Sequence, residues 1–481
     1  MSASFFFYDL ETTGIRSHEC RIMQFAGQRT GMDLNPIGEP FNVLVRLAPD
    51  VLPDPEAVLL TGITPQMTLS DGVSEVEFLK IFNEQVALPE TIFVGYNSVR
   101  FDDEFIRCTQ YRNFYDPYEW HWGDHRSRWD LLDLVRMTRA LRPEGITWPF
   151  DDKGVPTNRL ELITKLNGLD HAQAHDALSD VSATIAVARL IRAKQPKLFD
   201  WLLSHRGKKE IKQFLRDNPT FVYTSGKFSN EFLKTAVVQT LSIGDDQHGA
   251  IVYDLRHDPR PFASLSPEEL VARWQYTKDI DAPPRLPAKT LKYNRCPAIC
   301  PTGLISDPAV QERLGVTVEQ IAANKAALKA LPNLRENIIR AQELMDAERA
   351  AADAEQTPDV DEQVHSGLLD DHDRNLLRAV RAAAPEDTMN FADSFHDARM
   401  RELLKRYKAR NYPESLTSDE RAEWDAHVQR RLFDGGDQSR LADYFKTLAA
   451  CAKDPKYKDK QFLLEELQLY GQSVMPAELE G

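Results

Sequence analysis

Short apolar runs of strand length alternate with stretches of helical periodicity through the first 200 residues. "SFFFYDL" (4–10), "FNVLVRLA" (41–48) and "TIFVGYN" (91–97) predict strands. "EVEFLKIFNEQV" (75–86), "SRWDLLDLVRMTRAL" (127–141), "RLELITKLNGL" (159–169) and "DALSDVSATIAVARLIRAK" (176–194) place their apolar residues on one helical stripe. Strands followed by helices predict an α/β layer with a mixed sheet.

Beyond residue 200 the pattern shortens. "TFVYTSGKFS", "TAVVQTLSI" and "GAIVYDL" are β-rich runs separated by turn residues. The proline-rich, basic stretch 281–301 predicts loop and edge strand. "SPEELVARWQ" opens with a capping box, and two longer helical patterns close this region near residue 348. Residues 349–363 are acidic and broken by Pro358, the pattern of a solvated linker. Four amphipathic patterns after residue 364 predict a C-terminal helical domain. The expected division is 1–195, 196–348, a linker at 349–363, and 364–481.

At 481 residues the chain is too long for one ordinary core. No run could span a bilayer, and the N-terminal apolar stretch meets Asp9 and Glu11 at once, unlike a signal peptide. Five cysteines form no paired framework, which fits a reducing cytoplasm. Cys296 and Cys300 are the one close pair, readable as buried thiols or as half a zinc site. Net charge is −15, weakly against a polyanion partner, yet residues 201–300 sum to +4 while residues 1–200 sum to −9. That distribution leaves room for a local basic face on an acidic protein.

Three acidic pieces carry the chemistry. Asp9 and Glu11 stand two apart at the end of the first strand and share a face. Alone they are either a ligand pair for Mg²⁺ or Mn²⁺ or a solvated strand end. In "VGYNSVRFDDEF" (94–105) a strand exits into Asn97, and Asp102 opens a helix, where a carboxylate also suits the helix dipole. In "AHDALSDVSAT" (174–184) His175 precedes a helix, and Asp180 follows one turn on.

In order, "DLET", "NSVRFD" and "HDALSD" match D-x-E, N-x-x-x-F-D and H-x-A-x-x-D. The chain thus resembles the DEDDh 3′–5′ exonuclease family. "LTGITPQ", "YRNFYDPYEW", "ALRPEGITWP" and "RYKARNYPESL" extend the likeness, over nearly the whole chain, to a bacterial, single-strand-specific branch. The resemblance implies an RNase H-like nuclease domain with an SH3-like β-rich domain and a helical domain behind it. It implies that Asp9, Glu11, Asp102 and Asp180 hold two Mg²⁺ ions, replaceable by Mn²⁺, with His175 as general base. The expected activity is stepwise release of nucleoside 5′-monophosphates from the 3′ end of single-stranded DNA, in repair and recombination. Glu11 and Arg159 are implied substrate contacts, and Arg107, Tyr118, Trp122 and Arg136 are implied DNA contacts. The implied partners are single-stranded DNA and the tail of single-stranded-DNA-binding protein, with Arg142 a candidate for the tail's pocket. A cytoplasmic monomer is expected. The alternatives are an RNA-trimming enzyme of the same family and an inactive nucleic-acid-binding scaffold. About half of the six aromatic residues in 111–122 are expected to be packing only; the rest would stack bases.

Overall fold

The computed structural model describes residues 3–169, 176–246, 248–279, 281–355 and 358–475. The chain divides into two compact units, one of residues 1–127, 171–182 and 358–481, the other of 128–170 and 183–357. Among the described residues no helix is long and apolar enough to cross a membrane.

In the first unit, β1 (Ser4–Thr12) lies between β2 (Ile22–Thr30), antiparallel to it, and β4 (Thr91–Gly95), parallel to it. β3 (Phe41–Leu44) pairs antiparallel with β2. The sheet order is β3-β2-β1-β4-β5, and in the last strand, β5 (Ser127–Asp130), the chain leaves the first unit. One face of the sheet buries Phe6, Tyr8 and Leu10 with Phe25 and Phe93, against Phe78, Phe82 and Phe105 from covering helical segments. Alternation then turns Asp9 and Glu11 to the opposite face. The helix read over 75–86 runs as Glu75–Ile81 with a wider turn at Phe82–Val86.

The C-terminal segment is packed into this same unit. Met23, Val58 and Leu59 share a core with Tyr444, Leu448 and Leu467. Cys108, Tyr111 and Phe114 share another with Val360, Leu377, Leu403 and Tyr407.

The stretch read as a solvated acidic linker is not one throughout. Residues 349–355 complete the helix Pro332–Glu355, and Gln356 and Thr357 lie outside the described residues. Asp361 is fully buried, 2.5 Å from Arg410 Nη2 and 3.2 Å from Arg21 Nη2, with Arg406 at 3.5 Å. Arg410 also reaches buried Asp50 at 2.6 Å. Burial alone would raise the Asp361 carboxyl, but Arg410, Arg21 and Arg406 hold it far below the carboxylate range. The acidic character that suggests solvent is instead matched by arginines distant in sequence.

In the second unit, β6 (Thr220–Thr224), β7 (Thr235–Ile243), β8 (Ala250–Asp254), β9 (Ala288–Leu291) and β10 (Ala298–Cys300) form an antiparallel sheet of order β10-β6-β7-β8-β9. Its core joins Phe221, Val238 and Val252 to Ile211 and Phe214 of the helix Lys208–Asp217. The expected capping box is present: Ser266 Oγ accepts from Glu269 N, and the Glu269 carboxylate accepts from Ser266 N. The proline-rich stretch supplies the two edge strands, where missing N–H groups cost least. All five cysteines are free thiols.

Candidate active site

The pairing of β1 with β4 stops at Phe7 and Val94, so Asp9 and Glu11 lie beyond it at the rim of the sheet, and the register with β2 shifts only after Glu11. Asp180 occupies the first turn of the helix Ala177–Lys194, where the helix dipole favours negative charge. Asp9, Glu11 and Asp180 each present an oxygen within 4.8 Å of the others. Asp176 joins them: its Oδ2 accepts from Ser179 N at 3.0 Å, and its charge bears on both Asp9 and Glu11.

Burial first, then Asp180 and Asp176, raises Asp9 well above the usual carboxylate range. Glu11 is pushed up to about 9 by burial and by Asp9, Asp180 and Asp176. The charges acting on these two groups are thus all of one sign. Hard oxygen donors so arranged fit a divalent cation, whose charge would offset both the burial and the repulsion.

Asp102 is buried at the start of the helix Asp102–Arg112. Because β4 runs parallel to β1, the turn after it leaves from the same end of the sheet as Asp9. Asp102 is not one of the three whose oxygens lie within 4.8 Å. Its neighbour Asp103, also buried, accepts a hydrogen bond from the Tyr8 hydroxyl, tying this first helical turn to β1. His175 lies outside the described residues.

The implied DNA contacts fall in varied settings. Arg107 is buried, 2.7 Å from Glu104, with its guanidinium 5.3 Å from the Tyr118 ring centroid. The Tyr118 hydroxyl lies 2.8 Å from His365 Nδ1, and His365 Nε2 lies 3.2 Å from Glu104. Tyr111, Phe114 and Trp120 of the aromatic run are buried, whereas Trp122 is 61% exposed. In the second unit Arg136 lies 2.7 Å from Asp133. Arg159, exposed at the N-cap of the helix Leu160–Leu166, is paired with Glu161. Arg142 follows the helix Leu131–Leu141 and is exposed.

Sequence reasoning missed Asp176, Tyr8–Asp103 and His365. Asp176 carried a legible signal, being an N-cap residue type directly before an apolar helix. The other two depend on partners 95 and 261 residues away, which no local pattern encodes.

A strand-end D-x-E pair on a mixed sheet, facing a carboxylate on a late helix, fits a metal-dependent nuclease, and the matching family model makes the class an exonuclease. The family model described as Exonuclease matches residues 6–188, the Exonuclease I SH3-like domain 206–342, and the Exonuclease I C-terminal domain 358–474. Exodeoxyribonuclease I of Haemophilus influenzae is 39% identical over 436 residues, covering 89% of this chain and 90% of the relative. That of Escherichia coli is 37% identical over 481 residues, covering 98% of each. The structure of E. coli Exonuclease I in complex with a dA16 oligonucleotide superposes with a TM-score of 0.91 at 36% identity, covering 98% of this chain and 100% of that one. An ExoI/SSB-Ct complex superposes at 0.89 and 35% identity, covering 99% and 100%. The chain belongs to the exodeoxyribonuclease I family. Dependence on a divalent metal goes with the exonuclease domain, and the carboxylate set fits it.

Proposed function

We propose that this chain is a 3′-to-5′ exonuclease that degrades single-stranded DNA to nucleoside 5′-monophosphates, serving DNA repair and recombination as a cytoplasmic monomer. The observation that carries this reading is the Asp9–Glu11–Asp180 cluster, set in a chain matched by all three family domain models. The E. coli structure with dA16 supports single-stranded DNA as substrate. The ExoI/SSB-Ct complex supports the tail of single-stranded-DNA-binding protein as partner. Free thiols at all five cysteines accord with a reducing compartment. The matches to the SH3-like and C-terminal domain models argue against a compact RNA-trimming enzyme, and the intact carboxylates against an inactive scaffold.

In this reading Asp9, Glu11, Asp102 and Asp180 hold two Mg²⁺ ions, with Mn²⁺ able to substitute. When bound, such a pair polarises the scissile phosphate and makes water a stronger nucleophile. His175 takes the attacking water's proton, since an imidazole titrates near working pH. Glu11 and Arg159 contact the substrate at the scissile end. Arg107, Tyr118, Trp122 and Arg136 contact the strand, with Trp122 as the exposed stacking surface and Tyr118 oriented by His365. The excess of Lys and Arg in 201–300 supplies part of the strand's path. The working domains are 1–195, 196–348 and 364–481.

Digestion of single-stranded DNA, duplex DNA and RNA, each labelled at both ends, tests the proposal. Mononucleotides should appear from the 3′ end of single-stranded DNA with Mg²⁺ and vanish with a chelator. Equal degradation of RNA, or release of 5′-terminal label first, would refute it.

A further inference from the structure

Three ligand-bearing side chains meet in the C-terminal segment, far in sequence from the carboxylates of β1. His372 and Asp373 lie in the first turn of the helix Asp371–Ala382, and His396 lies just before the helix Ala398–Asn411. One ligand atom from each of His372, Asp373 and His396 lies within 4.8 Å of the other two. The two imidazoles stack with centroids 4.3 Å apart and 16° between their planes.

Each ring has one nitrogen anchored. His372 Nε2 donates to the Ser394 carbonyl at 3.0 Å. His396 Nδ1 donates to the Asp370 carboxylate at 2.9 Å. In the neutral rings this leaves a lone pair on His372 Nδ1 and another on His396 Nε2. An imidazole whose outer N–H is held by a carbonyl or carboxylate is the arrangement that orients and strengthens a metal ligand.

The carboxylate between them is braced as well. Asp373 Oδ1 accepts from His396 N at 3.0 Å, and Oδ2 accepts from Asp397 N at 2.9 Å. Each oxygen keeps a further lone pair. These bonds tie the turn at 394–397 to the helix that carries His372, so the donors share one frame.

We propose that His372, His396 and Asp373 form a surface site for a transition-metal dication of the Zn²⁺ type, separate from the nuclease carboxylates. Two imidazoles and a carboxylate suit zinc, copper or nickel, whereas Mg²⁺ prefers oxygen alone. Zinc–ligand bonds near 2.1 Å set donors about 3.4 Å apart around a tetrahedral ion. Both rings are exposed, and binding turns them out of the stacked arrangement so that their in-plane lone pairs converge on one ion, while Asp373 stays held by the two backbone N–H groups. Water completes the coordination, and the bound ion staples the 394–397 turn to the helix.

The test titrates Zn²⁺ into the full chain in excess Mg²⁺, which competes at oxygen ligands but not at imidazole. His372→Ala and His396→Ala should each weaken this Zn²⁺ equivalent tenfold or more. Zn²⁺ should raise the unfolding midpoint of the parent but of neither variant. Cu²⁺ as a second probe should show nitrogen splitting in electron paramagnetic resonance that diminishes in each variant. Mg²⁺-dependent cleavage and circular dichroism should be unchanged in both, which separates loss of a ligand from loss of fold. Identical zinc stoichiometry and affinity in parent and variants would overturn the site, as would a copper spectrum indifferent to both substitutions.

Discussion

Stripping the divalent metal should make the stability of this protein unusually sensitive to pH above neutrality. Glu11 has an ordinary value of 4.5 and is pushed up to about 9 in the folded, metal-free protein. Between those values the native state binds a proton that the unfolded chain has lost, so stability falls as pH rises. The slope is at most about 1.4 kcal/mol per pH unit for one proton, or about 2–3 kcal/mol between pH 7 and pH 9. Bound Mg²⁺ holds the carboxylate ionised in the native state as well, and that slope should disappear. Lys289, pushed down to about 8 from 10.5 by burial, titrates in an overlapping window. Its sign is opposite, because the unfolded chain then binds the extra proton, and it is independent of metal, so it cancels between the two conditions. The assay is urea unfolding at pH 7, 8 and 9 in chelator and in saturating Mg²⁺. It is paired with indicator-dye measurement of protons released when Mg²⁺ is added at pH 7. At least one proton per chain should appear, and Glu11→Gln should reduce the count. Equal pH slopes in both conditions with no proton release would refute the electrostatic reading of the cluster.

Further outcomes are expected. His175→Ala should lower turnover roughly 10²–10⁴-fold at neutral pH and recover partly as pH rises, read by single-turnover kinetics; full activity at pH 7 would remove it as the base. Trp122→Ala should weaken single-strand binding by about 1–3 kcal/mol at unchanged melting temperature. Trp120→Ala, which empties a site packed on Phe82 and Phe93, should instead destabilise the fold by about 3–5 kcal/mol. Asp361→Asn should cost about 3–5 kcal/mol, seen as a lowered denaturation midpoint, because Arg410, Arg21 and Arg406 lose the charge they surround. Log affinity for single strands should fall with log salt at about 0.7 per phosphate neutralised, measured by fluorescence titration.

β1 was legible because aromatic residues crowd a strand that stops at two carboxylates. β2 was not read, since "IMQFAGQRT" is buried on both faces and so lacks the alternation that marks a half-exposed strand. The seven-residue helices Pro55–Thr61 and Pro65–Asp71 are too short for periodicity, although Asp54-Pro55 and Thr64-Pro65 are fair N-terminal signals. The region 127–141 read as one helix because its first four residues, which form β5, carry the same apolar spacing. At the site, the order of the acidic motifs in the sequence anticipated a cluster that the structure forms from Asp9, Glu11 and Asp180. The addition of Asp176 follows from helix capping, and the burial of Asp361 from arginines whose identity as partners only the tertiary fold decides.

The placing of Asp361, Arg410 and Asp50 in one buried cluster bears on how the protein is made. Arg410 leaves the ribosome 360 residues after Asp50, a delay of roughly 20–70 s at ordinary elongation rates. Through that interval the nascent first segment carries Asp50 and Arg21 without their late partners, and Met23, Val58 and Leu59 without Tyr444 and Leu448. The unit that holds the strand-end carboxylates therefore closes only when translation is nearly complete. A polypeptide cut short before Arg410 would leave Asp50 without the guanidinium that neutralises it in the complete fold.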